Sequence, residues 1–204
     1  KMLLLDLPKK KSFAPADRRP EVFCVIEHAY RDLAKAEAVC SGRFEIAGSE
    51  FNLGLEVDWL KNPHASDIEW QIEWHKFYYG LDLACAFSET GDRRFRDTWT
   101  SLVRSFIRQV PVEFASTDVV ARRVQNWIYA RQIFARSDFF KEFSSGFDNE
   151  VLKSIAEQAA YLKENLTAER NHRTLELYAL FIVALALPKL DSDGELLRFA
   201  VDLL

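Results

Sequence analysis

The sequence predicts an all-α fold: an incomplete (α/α) toroid of antiparallel helical hairpins, interrupted near residues 42–68 by a short irregular or β-hairpin-like segment. Three observations predict it. From Glu69 onward, apolar residues recur with the 3.6-residue period of a helix that buries one face. Seven Gly and six Pro in 204 residues are too few turn residues for an all-β sandwich. The predicted helices, about 15–20 residues each, are joined by short connections, the pattern of neighbouring antiparallel helices. No fixed-period repeat is visible, which argues against the named solenoid repeats.

Each element has its own signal. Pro20 opens a helix that reaches about Val39, with Phe23, Ile26, Tyr30, Leu33 and Ala34 on one face. Gly42, Gly48, Gly54, Asn62 and Pro63 then break the period, and Phe44–Ile46 and Phe51–Leu53 are short enough to pair as strands. Trp70, Trp74, Phe77, Leu81, Ala84 and Cys85 predict one helix from Glu69, ended at Gly91. Trp99, Leu102, Val103 and Phe106 mark the buried face of the next, from about Arg93 to Gln109, closed by Pro111. Ser116-Thr117-Asp118 supplies caps for a helix that buries Val120, Val124, Trp127, Ile128, Ile133 and Phe134. After a break at Ser144-Ser145-Gly146, a further helix buries Val151, Ile155, Ala159, Leu162 and Leu166. The run Leu177–Leu187 is apolar all round, which predicts a deeply buried helix ended by Pro188. Ser192 with Glu195 reads as a capping box for the last helix. The resulting division is an N-terminal extension, residues 1–20, and a helical domain, residues 21–204, whose last helical pattern still runs at Leu204, as in part of a longer toroid.

Composition narrows the function classes. A formal net charge of −4 gives no global attraction for nucleic acid, so an anionic ligand needs a local basic cluster. Cys24, Cys40 and Cys85 form no CxxC pair or Cys/His cluster, so neither a disulfide framework, a metal site nor another cofactor is expected. The Leu3–Leu7 run is too short for a signal-peptide core and its lysines follow it. The eleven apolar residues from Leu177 fall short of the roughly 20 that span a bilayer. No membrane partner is expected, and the compartment stays open.

Candidate chemistry concentrates in Arg170-Asn171-His172-Arg173-Thr174-Leu175-Glu176, a polar island directly ahead of the longest apolar run. The start of a helix offers free N–H groups and the positive end of a dipole to an anion. Asn171 is a good N-cap, His172 exchanges protons near neutral pH, and Arg173 pairs well with carboxylate or sulfate. A capped helix with a solvated first turn would carry the same residues.

Several pieces, in order across about residues 44–190, together resemble the N-terminal helical domain of heparinase II/III-like polysaccharide lyases, which is also alginate-lyase-like. They are Phe51-Asn52-Leu53-Gly54 with Val57-Asp58-Trp59, then Trp74-His75-Lys76-Phe77-Tyr78-Tyr79, and Leu83 to Asp92. Val120 to Trp127, with its Arg122-Arg123 and Asn126-Trp127, and Asn171-His172-Arg173 with Glu176 complete them. The resemblance implies an incomplete toroid whose inner helices line a cleft for an acidic polysaccharide, with a β-sandwich following. It implies cleavage beside a uronic acid by β-elimination, and a periplasmic or secreted setting. In that chemistry an amide that hydrogen-bonds the carboxylate stabilises the enediolate formed as a base removes the C5 proton.

By the resemblance, Asn171 is the neutralising amide and His172 a base or second carboxylate donor. Arg123 binds a substrate acid group or pairs internally. Trp74 and Trp127 stack on sugars or belong to the core, and His75 faces the cleft or the surface. Arg173 and Glu176 sit at the same helix start, Glu176 as an orienting partner. The family's catalytic Tyr matches neither Tyr161 nor Tyr178, so these residues are expected to hold half a site and to be inactive alone. The convergence of Asn171, His172 and Arg123 on one rim is expected. Two other readings stay open: a non-catalytic module binding a glycan or protein, and a glycoside hydrolase. The latter needs two flanking carboxylic acids, and Asp58, Glu69, Glu73 and Glu176 show no diagnostic spacing.

Overall fold

The structure, a computed structural model, describes residues 32–61, 67–136, 145–168 and 170–204. The predicted extension, and the predicted helix up to residue 31, lie outside these residues. The first described helix, α1 (Leu33–Cys40), starts where the Asp32 carboxylate accepts the Ala34 N–H at 2.8 Å.

The irregular segment contains a hairpin. Strands β1 (Arg43–Ile46) and β2 (Ser49–Asn52) pair antiparallel, with Phe44 opposite Phe51. Its mouth closes on the Gly42 carbonyl, which accepts the N–H groups of Leu53 at 2.9 Å and Gly54 at 3.1 Å. Gly42 has φ +76°, and a Cβ there would stand 2.6 Å from the Gly54 Cα, so the approach requires glycine. Beyond the hairpin the chain is tied to a later helix by one amide. Gln109 donates to the Val57 carbonyl at 3.0 Å and accepts the Trp59 N–H at 3.3 Å. The Trp59 indole donates to Ser105 Oγ at 3.1 Å and stacks on Trp74, ring centres 4.7 Å apart.

The single helix predicted from Glu69 is two: α2 (Ile68–His75) and α3 (Tyr79–Thr90). Phe77, in the turn between them, has φ +62°, a left-handed conformation that ends an L-residue helix. The hydrophobic period hides this break because Phe77 still buries its ring, against Trp59, Phe106 and Trp127. Asn126 replaces a lost helical bond by donating to the Lys76 carbonyl at 2.7 Å.

Three hairpins follow from α3. Helix α3 pairs with α4 (Arg93–Gln109), α5 (Thr117–Ala135) with α6 (Ser145–Glu164), and α7 (Arg170–Ala186) with α8 (Glu195–Leu203). The extensive side-by-side packing of α5 against both α3 and α7 makes these three an inner row, with α4, α6 and α8 behind. This is the incomplete toroid of helical hairpins that the sequence predicts. Of the predicted Ser144-Ser145-Gly146 break, Ser144 lies outside the described residues, and Ser145 and Gly146 begin α6.

Two cap assignments differ from expectation. Asn171 lies inside α7, which begins at Arg170. For α8, Gly194 at φ +68° precedes the helix. The free N–H groups are taken by Asp193, from Glu195, and by Asp191, from Leu196 and Leu197 at 2.8 and 3.0 Å. The left-handed turn at Gly194 brings these two aspartates, rather than Ser192, to the helix end. Along α7, Leu180, Ile182 and Val183 are buried as expected. The helix is not enclosed all round, however: Tyr178 is exposed and stacks beside the half-buried Phe181. Among the described residues no helix is long and apolar enough to cross a membrane.

Candidate functional site

The polar starts of α5 and α7 lie side by side, joined by a buried carboxylate. Glu176 is fully buried and accepts from Thr117 Oγ at 2.5 Å, Thr167 Oγ at 2.7 Å and the Thr167 N–H at 2.8 Å. It thus ties the first residue of α5 to the chain entering α7. Charge-assisted bonds of this kind are the stronger class. One position further along α5, Asp118 Oδ2 stands 3.5 Å from His172 Nδ1, one helical turn before Glu176. A third link crosses where the buried Gln125 donates to the Leu175 carbonyl at 3.3 Å. These contacts set the register of the two inner helices.

Above this junction the first turn of α7 is open. Asn171 and His172 are exposed, and the half-buried Arg173 donates to the Ala168 carbonyl at 3.1 Å. On α5 the half-buried Arg122, one turn after Asp118, donates to Gln125 Oε1 at 3.0 Å. An amide, an imidazole and guanidinium groups therefore share the neighbourhood of this junction, supported from below by neutral donors to a carboxylate. Among the described residues no three His, Cys, Asp or Glu side chains form a metal-binding group.

Arg123 is not part of this open surface. Its guanidinium is buried, donates to Gln158 Oε1 at 2.8 Å and the His75 carbonyl at 3.4 Å, and lies over the Phe106 ring. Burial lowers its pKa to about 9. The helical period explains the exchange: Arg123 shares the face of Val120 and Trp127, whereas Arg122 shares that of Asp118. Trp74 and Trp127 are core residues as well. Trp74 is enclosed by Trp59, Phe44 and Tyr79, and Trp127 by Phe77 and Phe106, which leaves no ring face for a sugar. His75, expected at the cleft or the surface, is buried. Its Nε2–H donates to the Trp59 carbonyl at 3.1 Å while Nδ1 has no partner among the described residues. Burial and then the Arg123 charge push its pKa down to about 4. Glu176 faces inward to the threonines, away from solvent.

The family model described as Heparinase II/III N-terminus matches residues 9–204. The chain belongs to the heparinase II/III N-terminus family. Solved structures agree with the fold of this heparinase-family domain. Heparan sulfate lyase HepC from Pedobacter heparinus superposes with a TM-score of 0.75 at 20% identity, over 92% of this chain and 30% of that one. A heparinase III gives a TM-score of 0.73 at 17% identity, over 89% of this chain and 29% of that one. The heparinase-family chain therefore spans about 30% of the length of the first of these structures. No curated protein sequence matches it significantly.

Sequence reasoning missed the roles of Thr117, Asp118 and Thr167. The first two read as caps, and nothing local announces that Thr117 meets Glu176 from 59 positions away.

Proposed function

We propose that this chain supplies the substrate cleft of a polysaccharide lyase that cleaves uronic-acid-containing glycans by β-elimination. The observation that carries the reading is the exposed Asn171–His172 pair on the first turn of a buried helix, in a chain of the heparinase II/III family. Asn171 donates its amide to the uronate carboxylate, an interaction that strengthens as the enediolate develops. His172 stands beside it as base or as second carboxylate donor. Arg122 and Arg173 replace Arg123 as the cations available to acid groups of the glycan. The similarity in fold to a heparan sulfate lyase supports a glycosaminoglycan as first substrate to test.

In this reading the remaining reactive groups, including the acid that protonates the departing oxygen, come from parts of the parent protein outside these residues. The rest of the toroid and a β-sandwich closing over the cleft are its partners, and the 204 residues alone turn over little or no substrate. The test is to incubate the full-length protein with heparan sulfate and with unsulfated uronate polymers. β-Elimination yields an unsaturated product that absorbs in the ultraviolet, hydrolysis yields reducing ends without it, and a binding module yields neither. Absence of the unsaturated product on every uronate glycan tried would reject the proposal.

A further inference from the structure

We propose that Glu176, with the two threonines that donate to it, is a positioning group for Asn171, holding the first turn of α7 where the amide meets a uronate carboxylate. This inference rests on the lyase reading of the site and adds residues that act through Asn171 rather than on the glycan. The observation is a convergence of donors on one fully buried carboxylate. Thr117 Oγ at 2.5 Å and Thr167 Oγ at 2.7 Å both donate to Oε1, and the Thr167 N–H donates to Oε2 at 2.8 Å. Both oxygens are engaged, so the carboxylate is fixed in orientation as well as in place.

The anchors bracket Asn171 in the chain. Thr167 precedes α7 and Glu176 lies in its second turn, so one buried group pins the entering chain to the helix it enters. Thr117, the first residue of α5, pins both to the neighbouring inner helix. Two further bonds act on the same stretch: Arg173 donates to the Ala168 carbonyl at 3.1 Å, and Gln125 donates to the Leu175 carbonyl at 3.3 Å. Asn171 and His172 stand exposed between these ties. The first turn of a helix is otherwise its least constrained part, because its N–H groups lack intrahelical partners. A carboxylate is also a costly choice here. Leu177 follows it in the core, and an apolar side chain at 176 would be buried without any need for donors. What the carboxylate adds is a directional hold on two other segments, and directional hold matters where a displacement of about 1 Å lowers turnover by up to a hundredfold.

The test uses the full-length protein and the ultraviolet-absorbing product released from heparan sulfate, at a temperature where each variant is folded by circular dichroism. Thr117→Val removes one hydroxyl at nearly constant volume, and Thr117→Ser keeps it. The expected result is a fall in kcat on the order of ten- to a hundredfold in Thr117→Val with KM little changed, and recovery of most of the turnover in Thr117→Ser. In an Asn171→Ala background Thr117→Val should lower kcat little further, because the clamp acts through the amide already removed. If Thr117→Val does not fold, Thr167→Val takes its place, since it removes the other hydroxyl and leaves the Thr167 N–H bond. Full turnover in a folded Thr117→Val protein would overturn the inference, as would an undiminished effect in the Asn171→Ala background. Failure of both valine variants to fold would assign the hydroxyls to folding and overturn it too. A wild type that releases no unsaturated product sinks the lyase reading itself. An active wild type, impaired by Asn171→Ala and unaffected by Thr117→Val, sinks this inference alone.

Discussion

Two ionisable groups, the buried His75 and the half-buried Asp82, give opposite pH signatures at the scale of single residues. His75 stays neutral in the fold until about pH 4, because a second ring N–H would be buried. Its unfolded counterpart takes up a proton below 6.5. Stability from this group is therefore present above pH 6.5 and lost towards pH 4, by about 3 kcal/mol. Asp82 runs the other way. Burial pushes its carboxyl up to about 7, against the pull of Lys35 and with the repulsion of Asp32 and Glu45. The unfolded chain ionises near 3.8, so its contribution is present below that pH and lost as pH rises to about 7. Asp82→Asn should thus gain stability over wild type as pH rises from 4 to 7, read as a widening gap between urea midpoints. A constant gap across that range would show that Asp82 is not protonated in the fold. Arg123 makes a simpler claim. Its guanidinium is held by Gln158, the His75 carbonyl and the Phe106 face, so Arg123→Ala removes packing and two hydrogen bonds. A loss of about 3 kcal/mol in denaturant unfolding is expected. An unchanged midpoint would mean that the buried network contributes nothing.

Among the elements, the hairpin depends on one glycine far more than another. Gly48, at φ +78°, has open space where a Cβ would go, so Gly48→Ala should cost only the left-handed strain, about 1–2 kcal/mol. Gly42→Ala adds a collision with the Gly54 backbone at 2.6 Å and should cost distinctly more. Equal urea midpoints for the two variants would contradict the close approach. The same scale shows where sequence reasoning succeeds and fails. The helices from α4 to α7 are legible because each presents an apolar face for several turns. The break between α2 and α3 is illegible because a left-handed Phe77 keeps its ring in the core, so the period runs through it. The α8 start is misread because Asp191 reaches Leu196 and Leu197 across the Gly194 turn, a bond that depends on the loop path rather than on capping-box spacing.

For the whole molecule, the order and spacing of weak motifs suffice to reach the heparinase II/III family, since together they specify a row of inner helices. They do not say which side chains meet. Arg122 and Arg123 are adjacent and chemically alike; the helical period puts Arg123 on the face of Val120 and Trp127, and its partners there, Gln158 of α6 and the His75 carbonyl at the end of α2, come from far along the chain. Trp74 and Trp127 are equally ambiguous from spacing, and neighbouring aromatic rings assign them to the core. The Asn171–His172 pair stays accessible after these assignments, so the account stands or falls there. The deciding measurement is the rate at which full-length wild-type and Asn171→Ala proteins release the ultraviolet-absorbing unsaturated product from a uronate glycan. The variant is expected to lose turnover on the order of a hundredfold, as for loss of an oxyanion-type donor, with KM less affected. Undiminished turnover in Asn171→Ala would contradict it.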